Sequence, residues 1–178
     1  ADAVPDSMQS VIADAIINDP DLAETTLYFD FYVFQALKQA GRGGEILNLL
    51  DKWKRCLRYG MTTFPEHDVE GRSDCHAWSA HPLFDFLNIT CGIAPASPGF
   101  KRVVIQPQPG DLETVEGRYI HPLGVISASY RKTHPHTTAA EIVLPASLQG
   151  RLIYKDRVYE LESGNNEFLL EENQGAER

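Results

Sequence analysis

The chain has 178 residues, 16 basic and 25 acidic side chains and a net charge of −9, which is enough length for one sizeable core or two small ones. It has no Lys/Arg cluster to neutralise phosphates, so nucleic acid is excluded as an expected partner, and an anionic membrane would repel it. No apolar run approaches the ~20 residues that span a bilayer. The N-terminal ADAVPDSMQS lacks the basic and apolar regions of a signal peptide. It also lacks an initiator Met, as a processed protein or a piece of a longer one would.

Met8, Val11, Ile12, Ala15 and Ile16 recur at helical spacing, which predicts an amphipathic helix over residues 5–17 that stops at Asn18-Asp19-Pro20. A second helix is expected from about Thr26 to Ala40, apolar over much of its circumference and therefore buried between neighbours. The break Gly41-Arg42-Gly43-Gly44 precedes a third helix, about Glu45 to Tyr59, whose basic residues gather at the C-terminal end, as the helix dipole favours. Short connections between these helices predict antiparallel, stacked hairpins.

The connection that follows, GMTTFPEHDVEGRSDCHAWSAHP from Gly60 to Pro82, places Glu66, Asp68, Glu70 and Asp74 among His67, Cys75, His76, Trp78 and His81. Loops lie at the surface and carry function disproportionately. Taken singly, the four carboxylates read as solvated loop acids. Asp74 is placed to cap a further helix through Ala77, Trp78, Leu83, Phe84, Leu87 and Ile89, kinked or restarted at Pro82. A zinc site from His67, Cys75, His76 and His81 fails on geometry, because adjacent Cys75 and His76 would point about 100° apart on a helix. No metal and no cofactor are expected. Cys56, Cys75 and Cys91 are odd in number, widely spaced and match no zinc spacing, and read as free thiols.

After Gly92 the pattern changes. IAPASPGF reads as a Pro/Gly linker. Short alternating segments follow at 102–106, 115–120, 125–130, 138–144, 151–154, 157–161 and 167–169, with turn residues between them. That spacing predicts an antiparallel β-sandwich. The chain thus divides into a helical part, residues 1–92, and a β-sandwich, residues 93–178.

GMTTFPE, RSDCHAWSAHP, GIAPASPGFKRVVIQPQPGDL and GVISASYRK, in this order, resemble the C-terminal part of bacterial α-L-rhamnosidases and related proteins of glycoside hydrolase family 78. The resemblance runs from about Tyr28 to Leu144. It implies that the helices are the last hairpins of an (α/α)6 barrel whose earlier hairpins, upstream in the same protein, carry the general acid. It also implies an inverting hydrolase acting on a carbohydrate substrate. Glu66, the glutamate of the TTxxE block, matches the family's general base, and His76 matches a residue contacting the sugar near the attacked water. Pro65 stands where many rhamnosidases have an aromatic residue.

Trp78 lies in the matching block, and indole faces commonly stack on sugars, although a packing Trp fits the spacing equally. His76, likewise, reads on residue type alone as a structural imidazole. Asp68 and Glu70 are expected to be solvated. The isolated chain is expected to be inactive without the general acid, and to self-associate through helix faces that the upstream hairpins would cover. The alternative is a non-catalytic carbohydrate-binding or scaffolding module.

Overall fold

The computed structural model describes residues 4–68 and 72–171. The chain folds as two compact units, residues 1–85 and 86–178. Among the described residues no helix is long and apolar enough to cross a membrane.

The first unit is helical. Helix α1 spans Asp6–Asn18 and α2 spans Asp30–Gln39. The expected α1 stripe does not form a buried face. Ala13 is buried, while Met8 and Val11 remain exposed, Val11 to 62%. Helix α2 begins at Asp30 rather than near Thr26, because the amides of Phe29, Phe31 and Tyr32 bond carbonyls three residues back, in 3₁₀-like turns. The Asp30 carboxylate is drawn off by Thr25 Oγ1 and by Lys52 Nζ, the latter at 2.9 Å. The buried face of α2 is Phe34 and Leu37, both fully enclosed, each contributing about 1.5–3 kcal/mol of burial.

The single helix expected over Glu45–Tyr59 is two elements. A 3₁₀ helix runs over Gly43–Leu47 and α3 over Asp51–Arg58. The reason lies at Asn48 and Leu49, whose amides bond three residues back, to Glu45 and Ile46. Asn48 Nδ2 also reaches the Glu45 carboxylate at 3.1 Å, and Asn is one of the weaker helix formers. The last expected helix is likewise divided, into a 3₁₀ helix Ala77–Ala80, helix α4 Pro82–Asp85 and, opening the second unit, a π-turn Phe86–Thr90. Pro82 restarts the chain as α4. Asp74 is no cap: His76 precedes the first helical residue, and no side chain caps the turn.

The second unit is a sandwich of two four-stranded sheets. Its strands are β1 Ile93–Pro95, β2 Arg102–Ile105, β3 Thr114–His121, β4 Gly124–His134, β5 Thr137–Leu144, β6 Gln149–Tyr154, β7 Arg157–Leu161 and β8 Gly164–Glu171. One sheet has the order β1-β2-β6-β7 and the other β3-β4-β5-β8. Alternate residues of both sheets meet in one core that includes Val103, Ile105, Leu152 and Leu161 from the first and Ile126, Ile142, Leu144 and Leu170 from the second.

The IAPASPGF stretch is no linker: Ile93 is 2% exposed, β1 pairs with β2, and Pro98–Phe100 forms a 3₁₀ turn. The sandwich is also not purely antiparallel, since β2 and β6 pair in parallel, Val103 opposite Gly150. The chain leaves the first sheet after β2, builds β3 to β5 in the second, and returns alongside β2. Such a crossover brings strands together in parallel. Gly92 opens β1 with φ +77°, and a Cβ there would fall 2.2 Å from the Gln106 carbonyl carbon, so this close approach of two backbones requires glycine.

Candidate functional site

The Gly60–His76 connection is a laced loop. It begins where α3 stops in a Schellman motif, with Met61 N–H on the Cys56 carbonyl, Gly60 N–H on Leu57, and Gly60 at φ +74°. Its two limbs are then tied together. Thr63 Oγ1 donates to the Asp74 carbonyl, His76 N–H to the Phe64 carbonyl at 2.6 Å, and Glu66 N–H to the Ser73 carbonyl at 2.8 Å. These bonds set Glu66 and His76 on facing limbs. Pro65, immediately before Glu66, is buried.

The Glu66 side chain is 14% exposed and forked by Arg72. Arg72 Nη2 donates to Oε1 at 2.6 Å and Nε to Oε2 at 3.3 Å. The Arg72 hydrogen bonds hold the Glu66 carboxyl below the ordinary glutamate range; partial burial opposes this, while the Arg72 and His76 charges act with it.

Asp68 is not the solvated acid expected. Its side chain is 6% exposed, and Arg55 donates to Oδ2 from Nε at 2.7 Å and from Nη2, while His67 Nδ1 lies 3.2 Å from Oδ1. Burial pushes the Asp68 carboxyl up, but the Arg55 bonds, a backbone N–H and the neighbouring charges outweigh it and hold the group below the usual range. Asp68 therefore anchors the loop to α3. Glu70 lies outside the described residues.

Aromatic rings flank the pair. The His76 ring packs on Tyr28 with centroids 5.0 Å apart, Tyr28 on Trp78 at 5.6 Å, Trp78 on Tyr32 at 5.9 Å, and Tyr32 on Phe29 at 5.1 Å. Trp78, Tyr32 and Phe29 are each about half exposed, so the strip presents ring surface outward. The structure thus brings Glu66, His76 and Trp78 into one neighbourhood, the first two through the laced limbs and the third through Tyr28.

A buried network supports the strip from beneath. His81 Nε2 lies 2.9 Å from the Leu27 carbonyl, next to Tyr28, and Nδ1 lies 2.6 Å from Asp85 Oδ2. A carbonyl can only accept, so Nε2 is the nitrogen that donates to Leu27. Gln35 Nε2 donates to the other Asp85 oxygen at 2.8 Å. Trp53 Nε1 donates to the Ser79 carbonyl at 2.8 Å, and its ring meets His81 edge-on at 5.2 Å. His81 is thus committed to Leu27 and Asp85. Among the described residues no group of three His, Cys, Asp or Glu side chains is arranged to hold a metal ion.

Sequence reasoning assigned no role to Tyr28, Tyr32, Arg55 or Arg72. Tyr28 and Tyr32 sit in a segment whose helical spacing reads as packing, and the one available signal was that the family resemblance starts at Tyr28. His81 and Asp85, four apart, carried a usable helical spacing. Chemically, the arrangement offers one carboxylate gripped by a cation, an imidazole and a half-exposed aromatic strip. Such sites suit polyhydroxylated ligands, whose apolar faces stack on rings while their hydroxyls bond to charged groups.

The family profile described as bacterial alpha-L-rhamnosidase C-terminal domain matches residues 92–168. No curated protein matches the chain in sequence. Among solved structures, the native α-L-rhamnosidase from Aspergillus terreus is similar at TM-score 0.77 and 17% identity, over 93% of this chain and 21% of that one. The α-L-rhamnosidase from Streptomyces avermitilis, complexed with L-rhamnose, is similar at TM-score 0.76 and 20% identity, over 94% and 20%. The GH78 family rhamnosidase of Bacillus sp. GL1 is similar at TM-score 0.72 and 26% identity, over 83% and 17%. The chain therefore spans about a fifth of the length of the structures it matches. Residues 92–168 thus match the bacterial α-L-rhamnosidase C-terminal domain, and the fold of the chain is similar to that of about a fifth of each of these α-L-rhamnosidases.

Proposed function

We propose that the chain is the C-terminal part of a glycoside hydrolase that releases terminal α-L-rhamnosyl-type residues with inversion, with Glu66 as its general base. In this reading the first unit contributes the last hairpins of an (α/α)6 barrel, and His76 and Trp78 contact the sugar. Water attacks the anomeric carbon and loses a proton to Glu66 as the glycosidic C–O bond breaks. An acid from upstream hairpins protonates the departing oxygen, across the ~6.5–9.5 Å typical of inverting pairs. The chain alone is then inactive, and no cofactor is required.

The observation that carries this reading is the placement of Glu66. It is a largely covered carboxylate laced to the His76 limb, whose imidazole leads into the Tyr28–Trp78 strip. The test is Glu66→Gln in the longer protein containing this segment. Loss of a general base typically costs ~10²–10⁴-fold, so kcat should fall by that order while substrate binding changes far less. Asp74→Asn, an exposed acid of the same loop, is the control; Asp68→Asn is unsuitable because Asp68 is built into the fold. Retained turnover in Glu66→Gln would refute the assignment.

A second reading is favoured by the half-exposed Phe29–Tyr32–Trp78 strip, which suits a non-catalytic sugar platform. It requires the intact protein to bind L-rhamnosides without hydrolysing them, and Trp78→Ala to abolish that binding.

A further inference from the structure

Arg72 opens the RSDCHAWSAHP block, yet the resemblance assigns it no role. Its side chain is 89% exposed, yet both oxygens of a mostly covered carboxylate face it. An isolated surface ion pair stabilises little, so the worth of this contact lies in where it holds Glu66.

Two features make the fork specific. It is asymmetric: Nη2 to Oε1 is a short charged bond at 2.6 Å, whereas Nε to Oε2 is 3.3 Å and weak. It is also set by the backbone, because the Glu66 N–H bonds the carbonyl of Ser73, the residue after Arg72. The guanidinium therefore meets the carboxylate in the register of the loop, and its planar geometry fixes the carboxylate plane as a point charge would not.

Resting on the general-base reading above, we infer that Arg72 is a positioning residue that grips Glu66 by Oε1 and leaves Oε2 as the oxygen that takes the proton from the attacking water. The proton leaves water for Oε2, the water oxygen bonds the anomeric carbon as the glycosidic C–O bond breaks and the upstream acid protonates the departing oxygen, and Arg72 keeps all its own protons throughout. The charged groups facing Glu66 are Arg72 and His76, and the Arg72 backbone N–H adds to them. Tyr28 in turn faces Arg72.

Arg72→Lys and Arg72→Met separate geometry from charge. The first readout is the titration of the Glu66 side-chain carboxyl, followed by carbon NMR in this chain. Arg72→Met should move its midpoint up toward an ordinary glutamate, and Arg72→Lys should keep most of the downward displacement. The second readout is turnover of an aryl α-L-rhamnoside by the longer protein. Misplacement of a reacting group by about an ångström costs on the order of 10²-fold. Both variants should therefore lose roughly 10–100-fold in kcat, with KM changed much less, and in Arg72→Met the acid limb of the pH profile should also rise. Arg72→Lys with wild-type kcat would overturn positioning by the fork, and Arg72→Met unchanged in both titration and kcat would overturn the inference entirely while Glu66→Gln remains disabling. An undiminished Glu66→Gln would instead overturn the general-base reading and this inference with it.

Discussion

Asp68→Asn tests most directly the acid that the fold encloses against expectation. The substitution keeps the shape but removes the charge that Arg55 meets through Nε at 2.7 Å and through Nη2. A hydrogen bond to a charged group is worth about 1.5–3 kcal/mol and a neutral one about 0.5–1.5, so downgrading this contact costs on the order of 1–2 kcal/mol. The larger figure of ~3–5 kcal/mol for a broken buried pair does not apply, because Arg55 remains 33% exposed and water can take over its donors.

The assay is urea unfolding followed by tryptophan fluorescence. The chain has two Trp, Trp53 and Trp78, and both lie in the helical unit, so the signal reports that unit. With a slope near 1 kcal/mol per molar urea for a unit of this size, the midpoint should fall by roughly 1–2 M. The sign with pH follows from the carboxyl being held below its ordinary value in the fold. Its contribution is complete above the unfolded pKa of about 3.9 and disappears as pH falls through the lower folded value. Wild type and variant should therefore differ at pH 7 and converge as the pH drops well below 4. Equal midpoints at pH 7, or a gap that persists in acid, would refute the reasoning.

Gly150→Ala should destabilise the sandwich by several kcal/mol, since a Cβ there would lie 2.2 Å from the Val103 carbonyl oxygen, beyond the ~1–3 kcal/mol usual for overpacking; thermal unfolding followed by circular dichroism measures it. Under native conditions at pH 8 a disulfide reagent should titrate Cys75 quickly and leave Cys56 and Cys91 unreacted until denaturant is added. The latter two are buried, and burial pushes the Cys91 thiol up to about 11. Tyr130→Phe removes the 3.0 Å bond to the Cys91 carbonyl and should cost about 1–2 kcal/mol in the same unfolding assay. The purified chain should self-associate with rising concentration in light scattering, through exposed side chains such as Val11, Leu57 and Leu83.

The strands were legible because their alternation survives into burial: Ile126, Ala128 and Tyr130 point inward along β4, and Ala140, Ile142 and Leu144 along β5. β1 was not, because three residues ending in Pro95 carry no period that separates strand from linker. The parallel β2–β6 pair depends on partners 47 positions apart, Val103 and Gly150, which local pattern cannot encode. The same holds at the site. The loop advertised itself by composition, and Glu66 and His76 by resemblance. The burial of Asp68 depends on Arg55, a helix away, and the strip on Tyr28 and Tyr32 from an earlier segment. Helical spacing also overstated helix length where backbone amides bond three residues back rather than four, as at Asn48 and Leu49.

The parallel pairing of β2 with β6 has a kinetic consequence. β3, β4 and β5 pair in chain order, with β4 Gly124 opposite His121 across a tight turn, so these three strands assemble through short loop closures, whereas β8 reaches β5 only across the β6–β7 hairpin. The β6–β7 hairpin is equally local. The first sheet joins only when β6 docks on β2 after the intervening strands have formed, and closing that long loop is paid in chain entropy before any contact rewards it. Refolding of this unit should therefore be slow for its size and limited by docking of the β6–β7 hairpin, and a nascent chain that stops before β6 would leave β2 as an unpaired edge open to strands of other chains.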